Sequence, residues 1–260
     1  IIVNTTKLAF IYLDLLKKIH SKKIIVSHDL YNFRKKYFKK MNIIDKTSLS
    51  KKNELKIINN TNFICDLTSH EIDYLRSNKI NKKKIFNFNT PADLSLFKKK
   101  SKKVYDFLYI KSNWAQNDLA YKKIKEIAKV LHEKKFLILS SGKPRVTNNI
   151  TYKRYNKNLI LNARVGLAPI LSGTGRNVKI IDMLSGGIPI ITNKTINQIN
   201  LKTSNHALVV SFKYVKKICK FLSKNNQKKF NQLEKNNLSW FMKYSYYRSS
   251  LKIFKKYINS

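Results

Sequence analysis

Short apolar runs alternate along the chain with longer segments in which apolar residues recur every three or four positions. Leu8, Ile11 and Leu15 fall on one face of a helix, whereas residues 63–67 form the short, mainly apolar run of a buried strand. In the first half these patterns predict strands at 1–4, 23–27, 63–67 and 84–88 and helices at 8–19, 30–40, 50–58 and 70–78. This alternation predicts a parallel sheet covered by helices.

The pattern is sharpest between residues 163 and 192. An apolar strand ends at Pro169, the loop Gly173-Thr174-Gly175 follows, and a helix with one apolar face runs to the pair Gly186-Gly187 before a second apolar strand. Residues 142–151 are predicted to form a polar loop. The other predicted elements of the second half are strands at 105–110, 136–140 and 207–210 and helices at 119–132, 158–163, 212–222, 228–236 and 240–257.

The glycine loop before this helix is suited to an anion. A helix N-terminus presents unpaired N–H groups and the positive end of the helix dipole, so a diphosphate can bind there. Arg176 and Lys179 add full positive charges, and Asp182, one turn further, can accept hydrogen bonds from sugar hydroxyls. A glycine pair alone fits a simple turn equally well, but the attached charged residues favour a nucleotide-sugar or similar phosphorylated ligand.

The high positive charge suggests a nucleic-acid ligand, but the small number of Arg residues argues against it. The 260 residues carry 54 Lys and Arg against 14 Asp and Glu, a net charge of +40. Arg, which recognises bases and phosphates in bidentate fashion, occurs only at positions 34, 76, 145, 154, 164, 176 and 248. No specific nucleic-acid partner is therefore expected, although a Lys-rich surface binds anionic lipid headgroups at low salt. His and Cys show no metal-ligand spacing, so neither a metal nor a cofactor is expected.

A lysine-rich segment divides the chain. Residues 98–104 break the strand–helix alternation and predict a linker between a Rossmann-like domain at 1–97 and a second at 105–239. Residues 240–260 are expected to form a C-terminal helix that packs back on the first domain. Two such domains enclose a cleft at the carboxyl ends of their strands, the place where open α/β sheets bind ligands.

The C-terminal half resembles the nucleotide-sugar domain of GT-B glycosyltransferases of the family-4 type and their group-1 relatives. The resemblance rests on VGLAP at 165–169, the G-x-G loop, Lys179-x-x-Asp182, LSGGIPIIT at 184–192 and the loop from Ser112 to Asn117. SHDLYNFR at 27–34 and the segment 53–75 are similar to the family's acceptor domain. The pattern departs from the family at Thr174, where the first of two paired acidic residues would stand, and the N-terminal domain is expected to be incomplete.

The resemblance implies an α/β protein of GT-B type, with two Rossmann-like domains facing a cleft. It implies transfer of a sugar from a nucleotide diphosphate sugar to a glycan or lipid-linked acceptor, with retention and without a metal. His28 would lie near the acceptor or the reacting carbon, oriented by Asp29. A structural role for His28, a turn role for Asn113 and a capping role for Glu71 remain open alternatives. The implied donor-binding residues are Gly173, Thr174, Gly175, Arg176, Lys179, Asp182 and Asn113.

Three hypotheses for function remain open. The first is an active glycosyltransferase, cytoplasmic and peripheral at the inner face of the cell membrane, where the basic surface would suit anionic lipid. The second is a truncated or degenerate GT-B domain that binds nucleotide without turnover, as Thr174 suggests. The third, suggested by charge alone, is a basic nucleic-acid-binding protein.

Overall fold

The protein forms two sheets, each covered by helices, in a computed structural model. The structure describes residues 1–27, 30–40, 42–44, 49–65, 67–86, 92, 94–97, 99, 101–112, 115–170, 177–196, 201–213, 218 and 226–258.

The N-terminal sheet has three parallel strands in the order β1-β2-β3: β1 (Ile2–Asn4), β2 (Ile24–Val26) and β3 (Phe63–Cys65). Its helices lie between or after these strands, at Thr6–Ile11, Leu13–Lys18, Tyr31–Lys40, Lys51–Asn59 and Ser69–Ser77. Ile25 on the central strand packs with Leu30, Ile57 and Ile64 in one buried cluster. The sheet is therefore held by the short apolar runs that the sequence pattern predicts.

Among the described residues, the strands of the C-terminal sheet are β4 (Tyr105–Ile110), β5 (Phe136–Ser140), β6 (Arg145–Thr147), β7 (Ile150–Arg154), β8 (Ala163–Ala168), β9 (Ile190–Thr192) and β10 (Ala207–Val209). These seven strands lie in the order β10-β9-β8-β4-β5-β7-β6. Of the seven, only the edge strand β6 is antiparallel to its neighbour. The α-helices described in this part of the chain are Ala115–Val130, Val178–Ser185, Gln227–Trp240 and Tyr247–Ile258. Short 3₁₀ helices occur at Lys82–Lys84, Lys157–Asn162 and Thr203–Asn205, and a π-helical turn at Phe241–Ser245.

Both faces of the C-terminal sheet are buried. Phe107 on β4 packs with Ile124 of helix Ala115–Val130, whereas the next residue, Leu108, packs on the opposite face with Ile180 of helix Val178–Ser185. This explains why the strand sequences are continuously apolar rather than alternating. The chain passes outward from β4 to β5 and β7 and then returns to β8 on the other side of β4, so the switch point of the sheet lies between β4 and β8.

The structure corrects the predicted polar loop at 142–151. This segment contains the β6–β7 hairpin, which turns at Asn148 with a φ of 49°. The next residue, Asn149, donates its side-chain N–H groups to the carbonyls of Ala128, Leu131 and Lys134, at the end of helix Ala115–Val130. All three residues of β6 are exposed, so the strand carries no apolar alternation from which it could have been predicted.

Other predicted boundaries also change. The predicted helix at 8–19 is divided at Tyr12, and helix Ser69–Ser77 is capped by Thr68 instead of Ser69. The predicted strand at 84–88 is reduced to a single bridge between Ile64 and Ile85 among the described residues. The predicted helix at 212–222 lies mostly outside the described residues.

The C-terminal helix contacts the N-terminal sheet. Ala92 exchanges backbone hydrogen bonds with the turn before this helix, donating to the Ser245 carbonyl at 2.9 Å and accepting from Tyr247 at 3.1 Å. Further along, the Phe254 ring lies 5.9 Å from that of Phe86, in a cluster with Ile24 and Cys65. No helix among the residues that the structure describes is long and apolar enough to cross a membrane. The domain boundaries proposed from the sequence stay a prediction.

Candidate active site

A cavity of about 640 Å³ opens at the carboxyl ends of β4, β5 and β7, beside the start of helix Val178–Ser185. Its wall carries the cations Lys111, Arg154 and Lys179. It also carries hydroxyl groups, including those of Ser140 and Tyr155. None of the described lining residues is acidic. A cavity of this size, with clustered cations at strand ends, suits an anionic small molecule.

Lys179, in the first turn of its helix, is held by a side-chain network from β4, the residues that follow it and the start of helix Ala115–Val130. Its ammonium donates to Asn117 Oδ1 at 2.7 Å, and Asn117 Nδ2 in turn donates to Ser112 Oγ at 2.6 Å. The Tyr109 hydroxyl donates to the Asn117 carbonyl at 3.1 Å, and the ammonium lies 5.9 Å from the centre of the Tyr109 ring. The first turn of helix Ala115–Val130 thus fixes the position of the lysine ammonium.

The pKa of Lys179 is lowered to about 8, mainly because the ammonium is buried and also because Lys111 is nearby. Lys111 itself forms an ion pair with Asp118 at 2.8 Å. A bound anion would offset both the burial of the ammonium and the repulsion by Lys111, so it would raise the pKa again. The arrangement therefore favours binding of negative charge.

Asp182, one turn after Lys179, is enclosed by other side chains and is only 5% exposed. Its Oδ2 accepts a hydrogen bond from the Tyr155 hydroxyl at 2.6 Å, and its Oδ1 lies 3.5 Å from the Lys157 ammonium. Tyr155 lines the cavity, whereas Asp182 is not among the lining residues. The ribose contact expected of Asp182 stays a prediction, and Tyr155 is a cavity residue that the sequence analysis missed.

No family model matches the sequence, and no curated protein matches it. Solved structures do match. A sucrose-phosphate synthase from Thermosynechococcus elongatus is similar with a TM-score of 0.74 at 12% identity, over 99% of this chain and 72% of that one. HepE from Anabaena, in complex with UDP and glucose, gives 0.75 at 7% identity over 100% and 77%. TarM gives 0.67 at 15% identity over 100% and 54%.

The chain has a GT-B glycosyltransferase fold. At these identities the likeness shows the fold alone. The chain spans about half the length of TarM and about three quarters that of HepE. The predicted α/β class and the predicted GT-B resemblance are confirmed.

Two of the nine predicted site residues, Lys179 and Asp182, lie in the described part of this GT-B fold. The structure brings Lys179 to the cavity wall and buries Asp182 behind Tyr155. The other predicted residues lie outside the described residues: His28, Asp29, Asn113, Gly173, Thr174, Gly175 and Arg176. Those site assignments stay predictions.

Two buried carboxylates, Glu54 and Glu71, accept hydrogen bonds from the backbone at the start of helix Tyr31–Lys40. Glu54 accepts hydrogen bonds from the backbone N–H groups of Tyr31 and Asn32, at 2.8 and 3.0 Å, and from the Thr6 hydroxyl at 3.1 Å. Burial raises the pKa of Glu54, and the Glu71 charge adds to the effect.

Glu71 accepts hydrogen bonds from Leu30 N at 2.8 Å and from the backbone and hydroxyl of Thr68, at 2.8 and 2.7 Å. The Thr68 hydroxyl in turn accepts from the Glu71 N–H, which completes a capping box at the start of helix Ser69–Ser77. The capping role left open for Glu71 in the sequence is thus the one that the structure shows.

Proposed function

We propose that the protein is a glycosyltransferase that moves a sugar from a nucleotide diphosphate sugar to a glycan or lipid-linked acceptor. The observation that carries the proposal is the cavity at the strand ends, whose described lining residues include three cations and no acidic residue, with the Lys179 ammonium fixed by its hydrogen bond to Asn117. Two neighbours support the donor class. HepE was solved with UDP and glucose, and the pneumococcal O-GlcNAc transferase GtfA with UDP and GlcNAc. GtfA has a TM-score of 0.67 at 13% identity.

The proposed chemistry is stabilisation of the departing diphosphate. As the bond between the sugar and the diphosphate breaks, negative charge develops on the leaving oxygen. Lys179 and Lys111 lie on the cavity wall and would offset that charge, because cations placed where negative charge develops stabilise it. Retention of configuration and independence of a metal ion follow from the resemblance to the family-4 type and are part of the proposal. Among the described residues, no three His, Cys, Asp or Glu side chains form a metal site.

Binding and turnover test the proposal separately. Isothermal titration with UDP and GDP measures binding, and release of UDP or GDP from their glucose and GlcNAc derivatives, with and without EDTA, measures turnover. We expect one nucleotide to bind in the micromolar range and Lys179→Ala to weaken binding at least tenfold. Lys52→Ala, a change to an exposed lysine on the helix Lys51–Asn59, serves as the matched control. If neither UDP nor GDP binds, the proposal is contradicted. Binding of a nucleotide without any turnover supports the degenerate GT-B alternative instead.

We also propose a peripheral association with anionic membrane at the inner face of the cell membrane. Helices Thr6–Ile11 and Leu13–Lys18 expose Leu8, Ile11 and Leu15 among lysines of a chain whose net charge is +40. Apolar side chains that enter the headgroup region and lysines that contact anionic lipid give additive, salt-sensitive binding. Sedimentation with phosphatidylserine vesicles should show binding at low salt and its loss in Leu8→Asn/Ile11→Asn. Equal binding to pure phosphatidylcholine vesicles would contradict this assignment.

A further inference from the structure

The Tyr155–Asp182 pair is not used by the chemistry proposed above. Tyr155 follows directly after β7, and its backbone N–H donates to the Ser140 carbonyl at 2.9 Å. Its hydroxyl donates to Asp182 Oδ2 at 2.6 Å. The residue is thus fixed at its backbone to β5 and at its hydroxyl to helix Val178–Ser185, although 42% of it remains exposed.

Asp182 serves this anchoring well. Its Oδ1 lies 3.5 Å from the Lys157 ammonium, so the buried carboxylate has a cation beside it as well as the tyrosine hydroxyl. A short hydrogen bond to an ionised carboxylate is about twice as strong as one between neutral groups. These contacts restrict the Tyr155 side chain before any ligand arrives, which lowers the entropy lost on binding.

A fixed aromatic ring beside clustered cations selects a particular ligand chemistry. Tyr155 lines the cavity next to Arg154, and Lys179 lines the same cavity. The cations suit phosphate, but a phosphate gains nothing from an aromatic face. A planar base attached to a diphosphate uses both features, because bases stack on tyrosine rings with little dependence on their identity.

We propose that Tyr155 is the stacking platform for the nucleobase of the donor, and that Asp182 is a positioning residue that acts by anchoring Tyr155. This inference rests on the proposed function, since it assigns a part of the same nucleotide site. It differs from the ribose role expected of Asp182, which would require direct contact between that carboxylate and the ligand.

The experiment compares a nucleotide with a diphosphate that lacks a base. Titration calorimetry with UDP, GDP and inorganic pyrophosphate is carried out on the full chain. Tyr155→Leu keeps an apolar side chain but removes the aromatic ring, and we expect it to weaken nucleotide binding by about tenfold or more. Pyrophosphate affinity should change less than twofold. Tyr12→Ala, a change to an exposed tyrosine between the first two helices, is the control and should alter neither affinity.

The anchoring role is tested by a double-mutant cycle. Tyr155→Phe keeps the ring and loses the hydroxyl, and Asp182→Ala removes the acceptor of its hydrogen bond. Each should weaken nucleotide binding about threefold to fivefold, and the double variant should be no weaker than the single ones, because all three lose the same hydrogen bond. Additive losses would overturn the anchoring role in favour of direct ribose contact.

The other possible results decide whether the platform role of Tyr155 and the nucleotide donor itself hold. Equal loss of nucleotide and pyrophosphate in Tyr155→Leu, or unchanged nucleotide affinity, overturns the platform role. If wild-type protein binds pyrophosphate but neither UDP nor GDP, the nucleotide donor itself fails, and the proposed function fails with it. An unchanged unfolding temperature in Tyr155→Phe shows that affinity losses do not come from unfolding.

Discussion

Two glutamates beside the N-terminal sheet and one lysine beside the C-terminal sheet are buried in opposite ways. Beside the N-terminal sheet, Glu54 and Glu71 are fully buried, and each accepts three hydrogen bonds from the surrounding structure. In the C-terminal sheet, Lys179 donates one hydrogen bond, to Asn117, among the contacts described and otherwise faces a cavity. A buried charge that its neighbours satisfy stabilises one conformation of the chain, whereas a partly satisfied charge on a cavity wall favours a ligand.

The largest effect should come from removing a satisfied carboxylate. Glu54→Ala leaves the N–H groups of Tyr31 and Asn32 and the Thr6 hydroxyl without their acceptor, so we expect the free energy of unfolding to fall by about 3 kcal/mol. Urea unfolding followed by circular dichroism measures it. Glu133→Ala, at an exposed glutamate, is the control and should change stability by less than about 0.5 kcal/mol. Similar losses in both variants would contradict the role assigned to Glu54.

Lys179→Met should reduce nucleotide affinity without reducing stability, the opposite of what we expect for a satisfied carboxylate such as Glu54. Methionine fills the same space without a buried charge, so the free energy of unfolding should stay the same or rise. Nucleotide affinity should fall by roughly tenfold to a hundredfold, the value of a hydrogen bond to a charged group. Calorimetry and urea unfolding of the same preparation measure both quantities. A variant that loses stability and affinity together would show that Lys179 supports the fold, as Glu54 does.

The sequence predicts the C-terminal motif well because its signals are local. The strand ending at Pro169, the helix beginning at Val178 and the turn at Gly186-Gly187 are each marked by apolar runs, proline or glycine within a few residues. The GT-B resemblance rests on the same stretch, which is why the fold could be predicted.

The missed features depend on distant partners. Tyr155 lines the cavity directly after the β6–β7 hairpin, and Asn149 of that hairpin caps a helix whose carbonyls lie 15 to 21 residues earlier in the chain. Likewise, the acceptor role of Glu54 involves Tyr31, 23 residues away, and Thr6, 48 residues away. Spacing along the sequence carries no trace of such contacts.

A substitution at Gly187 should lower the stability of the C-terminal sheet and its helices without changing the nucleotide affinity of the cavity. Its φ is 68°, and a Cβ there would lie 2.9 Å from Glu234 Cγ. The Ile188 N–H bonds the Met183 carbonyl and the Gly187 N–H bonds that of Leu184, as in a glycine-terminated helix. Gly187→Ala should therefore lower the free energy of unfolding by about 1 to 2 kcal/mol. Gly142→Ala is the control, because Gly142 has no positive φ and a Cβ there would lie 3.4 Å from Ser140 Oγ, an ordinary van der Waals distance. Loss of nucleotide affinity without loss of stability would contradict this prediction.

The smallest expected effect is the uptake of a fraction of a proton by Lys179 when the nucleotide binds. The unliganded pKa of Lys179 is about 8, and a bound diphosphate raises it, so binding between about pH 8 and 9.5 should take up a fraction of a proton. Affinity should be highest below pH 8 and fall as the pH rises through 8, since free protein then loses the charge that the complex retains. Titration calorimetry in buffers of different ionisation enthalpy measures the uptake. It should disappear in Lys179→Met, and its persistence there would assign the proton to another group.

Lys111 provides the finest test of the same comparison. Its charge contributes to the low pKa of Lys179, second to burial, so Lys111→Met should move the fall in affinity to higher pH by less than about one unit. The same change removes a cation from the cavity wall, so affinity at pH 7 should fall even as its pH dependence shifts upward. At high pH the loss of a cation lowers the affinity, whereas the higher pKa of Lys179 raises it. Both effects are expected only if the Lys111 charge acts on Lys179 and on the bound ligand. A shift to lower pH would mean that Lys111 stabilises the charge of Lys179 through Asp118 instead of opposing it.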